Sequence, residues 1–154
     1  MYRKTLLGLA AGAALVSTGA PAQQAPNYDA VQIKATDLGH RTWMLEGQGG
    51  NMLVVAGDDA VILVDTQFAP LHEKIAAAIA QLSDKPVRYV VNTHLHGDHT
   101  GGNQQFWRKG ATLVATRELA ASMTAGTTNA LTGNKTAPAP QAAIPKQTYS
   151  GNAS

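Results

Sequence analysis

The sequence predicts an α/β layered domain, and three observations carry that expectation. Short apolar, β-branched runs recur at 52–56, 60–64, 87–91 and 111–115. Between them Leu71, Ile75, Ala78, Ile79 and Leu82 fall at helical spacing. Glycine, proline and aspartate mark the places where one period gives way to the other.

Taken in order, the chain of 154 residues begins with Met1-Tyr2-Arg3-Lys4, an apolar run from Leu6 to Val16, and Ala20-Pro21-Ala22. A charged start, a short apolar stretch and an A-x-A site read as an export signal over residues 1–22, giving an exported, periplasmic or secreted protein. An uncleaved anchor is the other reading, but small residues replace the large aliphatics of a good anchor. No later stretch approaches the ~20 apolar residues of a membrane span, so no stable membrane insertion is expected after cleavage. Removing the signal leaves about 130 residues, enough for one domain with its own core.

Residues 23–30, rich in Gln, Pro and Asn, read as a linker, and the domain is expected over 31–123. Val31, Ile33 and Ala35 alternate with polar residues as in a strand buried on one face, and 40–46 repeats the idea around Trp43 and Leu45. A turn at 47–50 leads into the runs 52–56 and 60–64, which Gly57-Asp58-Asp59 joins as a hairpin. Their nearly continuous hydrophobicity predicts a sheet covered on both faces. Behind Pro70 a helix is expected to end near Ser83, and Pro86 blocks its extension. The strand at 87–91 leads into Asn92-Thr93 and a histidine cluster; a helix at 101–109, a strand at 111–115 and a helix at 117–123 complete the pattern. From 124 to 154, Thr, Asn, Gly, Ala and three prolines show no strong element, so this stretch is either an irregular tail or an interrupted loop.

Charge and cysteine content exclude several functions. Without Arg3 and Lys4 ten basic residues face ten acidic ones, so the clustered surplus of positive charge that nucleic-acid binding needs is missing. With no cysteine, no disulfide, thiolate ligand or thiol nucleophile exists in this chain. Any metal must be held by imidazole and carboxylate.

His94-Leu95-His96-Gly97-Asp98-His99 supplies both. Two residues apart in an extended segment, His94 and His96 project to one side and can converge on one ion. A turn at Gly97 would place Asp98 and His99 where they face a second. These ligands suit zinc, with iron or manganese as alternatives. The cluster also follows the C-terminal end of an expected strand, where α/β enzymes place their ligand sites. Asp65, at another strand end, has two readings: a residue supporting the site from behind, or a capping or turn aspartate. His40, at a strand start, and His72, in the first turn of a helix, are expected to be ordinary structural residues.

This cluster is similar to the His-x-His-x-Asp-His pattern of the metallo-β-lactamase-fold hydrolases. Gly50-Asn51-Met52, Val64-Asp65-Thr66 and Asn92-Thr93-His94 resemble other stretches of that family, and Gln67-Phe68-Ala69-Pro70 and Thr100-Gly101-Gly102-Asn103 resemble its exported, general members. The resemblance covers residues 31 to about 123 and implies an αββα sandwich of which this chain supplies roughly the first αβ half. It further implies His94 and His96 as ligands of one metal and Asp98 and His99 of another, with a bridging hydroxide as nucleophile. Asp98 would orient that hydroxide and handle its proton as the catalytic residue, and Asp65 and Thr93 would support the ligands. The implied reaction is zinc-dependent hydrolysis of an ester, thioester, lactone or amide in a small-molecule substrate.

One departure limits this. No histidine follows His99, and the only later acid is Glu118, whereas the family's site takes further ligands from its second half. The chain therefore reads as an N-terminal half that is inactive unless completed, with an exposed half-core that would favour self-association. A non-catalytic metal-binding module and a structural or interaction domain derived from the same fold are the alternatives.

Overall fold

A computed structural model describes residues 26–151, so the expected export signal and the start of the linker lie outside the described residues. The first described element is a 3-10 turn, Tyr28–Ala30. The ammonium of Lys74 fixes it, donating to the carbonyls of Tyr28 at 3.0 Å, Asp29 at 2.7 Å and Val31 at 2.8 Å. The last of these bonds occupies the Val31 carbonyl, at the start of the strand expected over 31–35, and β1 begins later, at Lys34–Gly39. Val31 and Ile33 still pack against the core.

Strands β2 (Thr42–Glu46), β3 (Met52–Ala56) and β4 (Val61–Val64) follow, each antiparallel to the one before. Between β1 and β2 the chain reverses through Gly39, His40 and Arg41, all at positive φ, and His40 is exposed there. After a 3-10 turn at Ala69–Leu71, helix α1 (His72–Leu82) carries the chain back to β5 (Val87–Val91), which is parallel to β4. Next come the one-turn helix α2 (Gly97–Thr100), α3 (Asn103–Arg108), β6 (Thr112–Thr116) and α4 (Arg117–Ala125), with β6 parallel to β5.

The stretch after residue 124, expected to be irregular, has local order. A small hairpin pairs β7 (Thr127–Thr128) with β8 (Lys135–Thr136), and its turn is held by the Asn129 side chain, which accepts from the amides of Leu131 and Thr132. Beyond it β9 (Gln147–Tyr149) lies parallel to β6. An edge strand of three residues is held by backbone bonds and needs little apolar signal.

The described residues thus form a seven-stranded sheet in the order β1-β2-β3-β4-β5-β6-β9. Leu45, Val54, Leu63, Val90 and Leu113 are buried on one face, packed with Leu71, Ile75 and Ile79 of the α1 region and Phe106 of α3. The expectation of cover on both faces is not met among the described residues. Ile62 and Tyr89, on the other face, remain 40% and 44% exposed. No described helix is long and apolar enough to cross a membrane.

Candidate metal centre

Because β4 and β5 are neighbours in parallel register, with Val64 opposite Val91, Asp65 and Asn92 leave the sheet side by side. The Asp65 amide donates to the Val91 carbonyl and the Asn92 amide to that of Val114, each at 2.9 Å. From Asn92 the chain does not stay extended as expected but bends through 93–96; His96 itself (φ −65°, ψ 150°) leads into α2, which contains Asp98 and His99. The expected turn at Gly97 is therefore a helical one.

The helix expected over 101–109 begins only at Asn103, and the two residues before it, Gly101 and Gly102, press against the exit of β4. A Cβ at Gly101 would lie 2.7 Å from the Gln67 carbonyl oxygen, and one at Gly102 would lie 2.6 Å from that of Thr66. Only glycine permits this approach. It holds α2 beside Asp65.

Three imidazoles of the cluster become neighbours. The ring centroid of His94 lies 4.9 Å from that of His96 and 3.9 Å from that of His99. Asp65 organises two of them. One of its oxygens accepts from the Thr93 amide at 2.9 Å; the other accepts from the Thr93 hydroxyl at 2.6 Å and from Nδ1 of His99 at 2.7 Å. Since that hydroxyl gives its proton to Asp65, its oxygen is free to accept from Nδ1 of His94, 3.0 Å away. In the neutral form of each ring this arrangement puts the hydrogen on Nδ1 and leaves the lone pair on Nε2.

Asp65 is buried and holds φ +62°, a left-handed conformation that costs an aspartate about 1 kcal/mol. Its side-chain bonds run to Thr93 and His99 and not to a helix N-terminus. Nε2 of His99 lies 3.5 Å from Asp98, whose carboxylate is one-third exposed.

A buried polar network fixes the backbone beneath. The His99 carbonyl accepts from the Thr66 amide at 2.8 Å and the Asn92 side chain at 3.3 Å. Asn103, fully buried, exchanges bonds with Asn92 at 2.8 and 3.0 Å, accepts from the Thr66 hydroxyl at 3.0 Å and donates to the Ala143 carbonyl at 3.0 Å. Thr66, Gln67 and Asn103 are absent from the sequence-derived site. The available signal is the polar run Asp65-Thr66-Gln67 directly after an all-apolar strand.

Among the described residues no group of three or more His, Cys, Asp or Glu side chains is arranged to hold a metal ion. The rings pack on one another instead of converging. The donor set nonetheless fits a divalent cation in kind: three imidazoles beside the Asp98 carboxylate and without thiolate. The loop over the pair leaves no spare space. A Cβ at Gly49 would lie 2.7 Å from that of Asp98, and one at Gly50 would collide with the His99 ring.

The remaining histidines are elsewhere. His72 is buried against the edge of Phe106 at 4.5 Å, and neither ring nitrogen has a hydrogen-bond partner. Burial holds its pKa below the usual imidazole value; Glu73 opposes this and Lys109 adds to it. Glu118 lies on α4.

A sheet with parallel strands and a histidine-rich cluster at their carboxyl ends defines a class, the α/β domains that place polar sites beyond strand C-termini. Residues 45–130 match the model of the metallo-beta-lactamase superfamily, and the chain belongs to that superfamily. It is 37% identical over 54 residues to an alkyl/aryl-sulfatase of Saccharomyces cerevisiae, an overlap of 34% of this chain and 8% of that protein. Among solved structures it resembles a Cronobacter sakazakii metallo-beta-lactamase with a HARLDQ motif (19% identity, TM-score 0.64, 77% of this chain and 47% of that one). It also resembles the Pseudomonas aeruginosa metallo-beta-lactamase FIM-1 in its mono-zinc form (26%, TM-score 0.54, 60% and 45%). The chain spans about half the length of these solved structures, as an N-terminal half of the fold does.

Proposed function

We propose that this chain carries one part of the metal site of a zinc-dependent hydrolase, iron or manganese being the alternative metals. The observation that carries this reading is the gathering of His94, His96 and His99 beyond β5, with Asp65 turning two of the three rings. His94 and His96 would hold one cation and Asp98 and His99 the other. Two such cations, when bound, acidify water to hydroxide near neutral pH and polarise the oxygen of the scissile bond.

The chain's own groups do the rest. Asp65 fixes the His99 tautomer directly and that of His94 through the Thr93 hydroxyl. Asp98, half-buried at the mouth of the site, orients the attacking water and takes up or returns its proton. Four ligands shared by two ions leave each short of a full set, so the remaining ligands are assigned to residues outside these 154. Self-association through the open sheet face would follow from the half-exposed Ile62 and Tyr89. Export is supported by the sequence at 1–22 alone.

The substrate class is a small molecule with an ester, thioester, lactone or amide bond; the sulfatase relative adds a sulfate ester to the compounds worth testing. Metal analysis combined with assays on β-lactam, lactone, thioester and aryl sulfate substrates tests the proposal. Zinc uptake that is lost in the double variant His94→Ala/His96→Ala is expected, and metal content unchanged by that variant would overturn it. Full turnover by this chain alone would contradict the assignment of ligands elsewhere. The alternative reading is a non-catalytic metal-binding module derived from the same fold. That reading predicts about one tightly bound zinc per chain and no turnover even when the fold is completed.

A further inference from the structure

Gln67 has no part in the site as set out above, yet it joins the two segments that form it. Its side chain is fully buried and its backbone is held at φ +49°. The amide nitrogen donates to the Gly50 carbonyl, the amide oxygen accepts from the Gln48 amide at 3.1 Å, and its own carbonyl accepts from Gly102 at 3.0 Å. A Cβ at Gly47 would lie 2.6 Å from the same amide oxygen, so the loop 47–50 is folded tightly around this one side chain. The loop in turn bears on the cluster, because the Gly50 amide donates to Asp98 at 3.2 Å and Gly50 lies against His99.

Holding a carbonyl and an amide of one loop at once needs a donor and an acceptor on a single side chain, and the carboxamide carries them on two separate atoms at the end of a long stem. Asparagine is one carbon shorter.

We propose that Gln67 is a positioning residue for the candidate cation ligands: it latches the loop 47–50, and the loop fixes Asp98 and His99. The inference rests on the proposed cation site. Loss of such a supporting partner typically weakens metal binding 10- to 100-fold.

The test compares the full 154-residue chain with Gln67→Met, which removes both bonds, and Gln67→Glu, which keeps the acceptor and loses the donor. Amide hydrogen exchange of Gln48 and Gly50 is measured without metal, and binding of Co2+ is followed by its visible absorption. The latch predicts faster exchange at both amides in Gln67→Met, with Co2+ binding weakened by about 10- to 100-fold and Gln67→Glu falling between. Unchanged exchange in Gln67→Met would overturn it, as would a released loop with unchanged Co2+ affinity. If Gln67→Met does not fold, the same readouts on Gln67→Glu decide. A wild-type chain that takes up no Co2+ overturns the cation site itself, whereas the exchange rates still show whether Gln67 sets the loop.

Discussion

His99 and His72 are both withdrawn from solvent, and their surroundings differ in kind. Around His99 polar groups are paired and directional: Asp65 takes Nδ1, while Thr66 and Asn92 hold the backbone carbonyl. Around His72 burial comes without hydrogen-bond partners: Glu73 stands 3.7 Å from Nε2, and an edge-on Phe106 is its aromatic neighbour. An unbonded buried imidazole lowers stability, whereas one hydrogen-bonded to a carboxylate is held in a fixed orientation. Burial alone does not separate the two; the partners do.

Removing the network should have the largest effect. Asn103→Leu strips partners from Thr66, Asn92 and the Ala143 carbonyl together, with an expected loss of about 3 kcal/mol, measurable by urea denaturation. A loss below about 0.5 kcal/mol would mean that the network does not hold the site.

Asp65→Asn keeps the shape but withdraws a carboxylate oxygen from His99 and Thr93. Zinc binding by calorimetry should weaken about 10- to 100-fold with the fold intact. His72→Phe should have the smallest effect: it deletes two unpartnered nitrogens, so stability at neutral pH should change by less than about 1 kcal/mol, with zinc binding unchanged.

The same variant isolates a pH effect. Since burial depresses the folded-state pKa of His72, the unfolded chain binds its proton first as pH falls. The contribution of His72 to stability is thus fully present above the ordinary imidazole value of about 6.5 and is lost as pH falls below it toward the folded-state value. Denaturation series at pH 7.5 and 5.5 should show wild type losing more stability than His72→Phe; an equal loss would place the proton elsewhere.

How legible each part was in the sequence follows from what writes it. Runs such as 52–56 and 87–91, and the helical spacing from Leu71 to Leu82, are written by burial, and the structure places β3, β5 and α1 there. The His94–His99 cluster is written by its chemistry. The β9 strand is held by backbone bonds at an edge, and Asn103 acts through partners 11 and 37 positions away, so neither leaves a local pattern. The left-handed turns at Asp65 and Gln67 fall on residues that give no glycine signal. The continuous hydrophobicity of β4 predicted a second covering layer, yet among the described residues Ile62 is exposed.

The central claim is that one cluster of histidines is built to take a cation and the other two histidines are not. Titrating zinc into the chain while following the ring Cε1 proton resonances of all five histidines tests it most directly. The account predicts that His94, His96 and His99 shift together while His40 and His72 do not move. Silence from the three, or an equal response from all five, would contradict it.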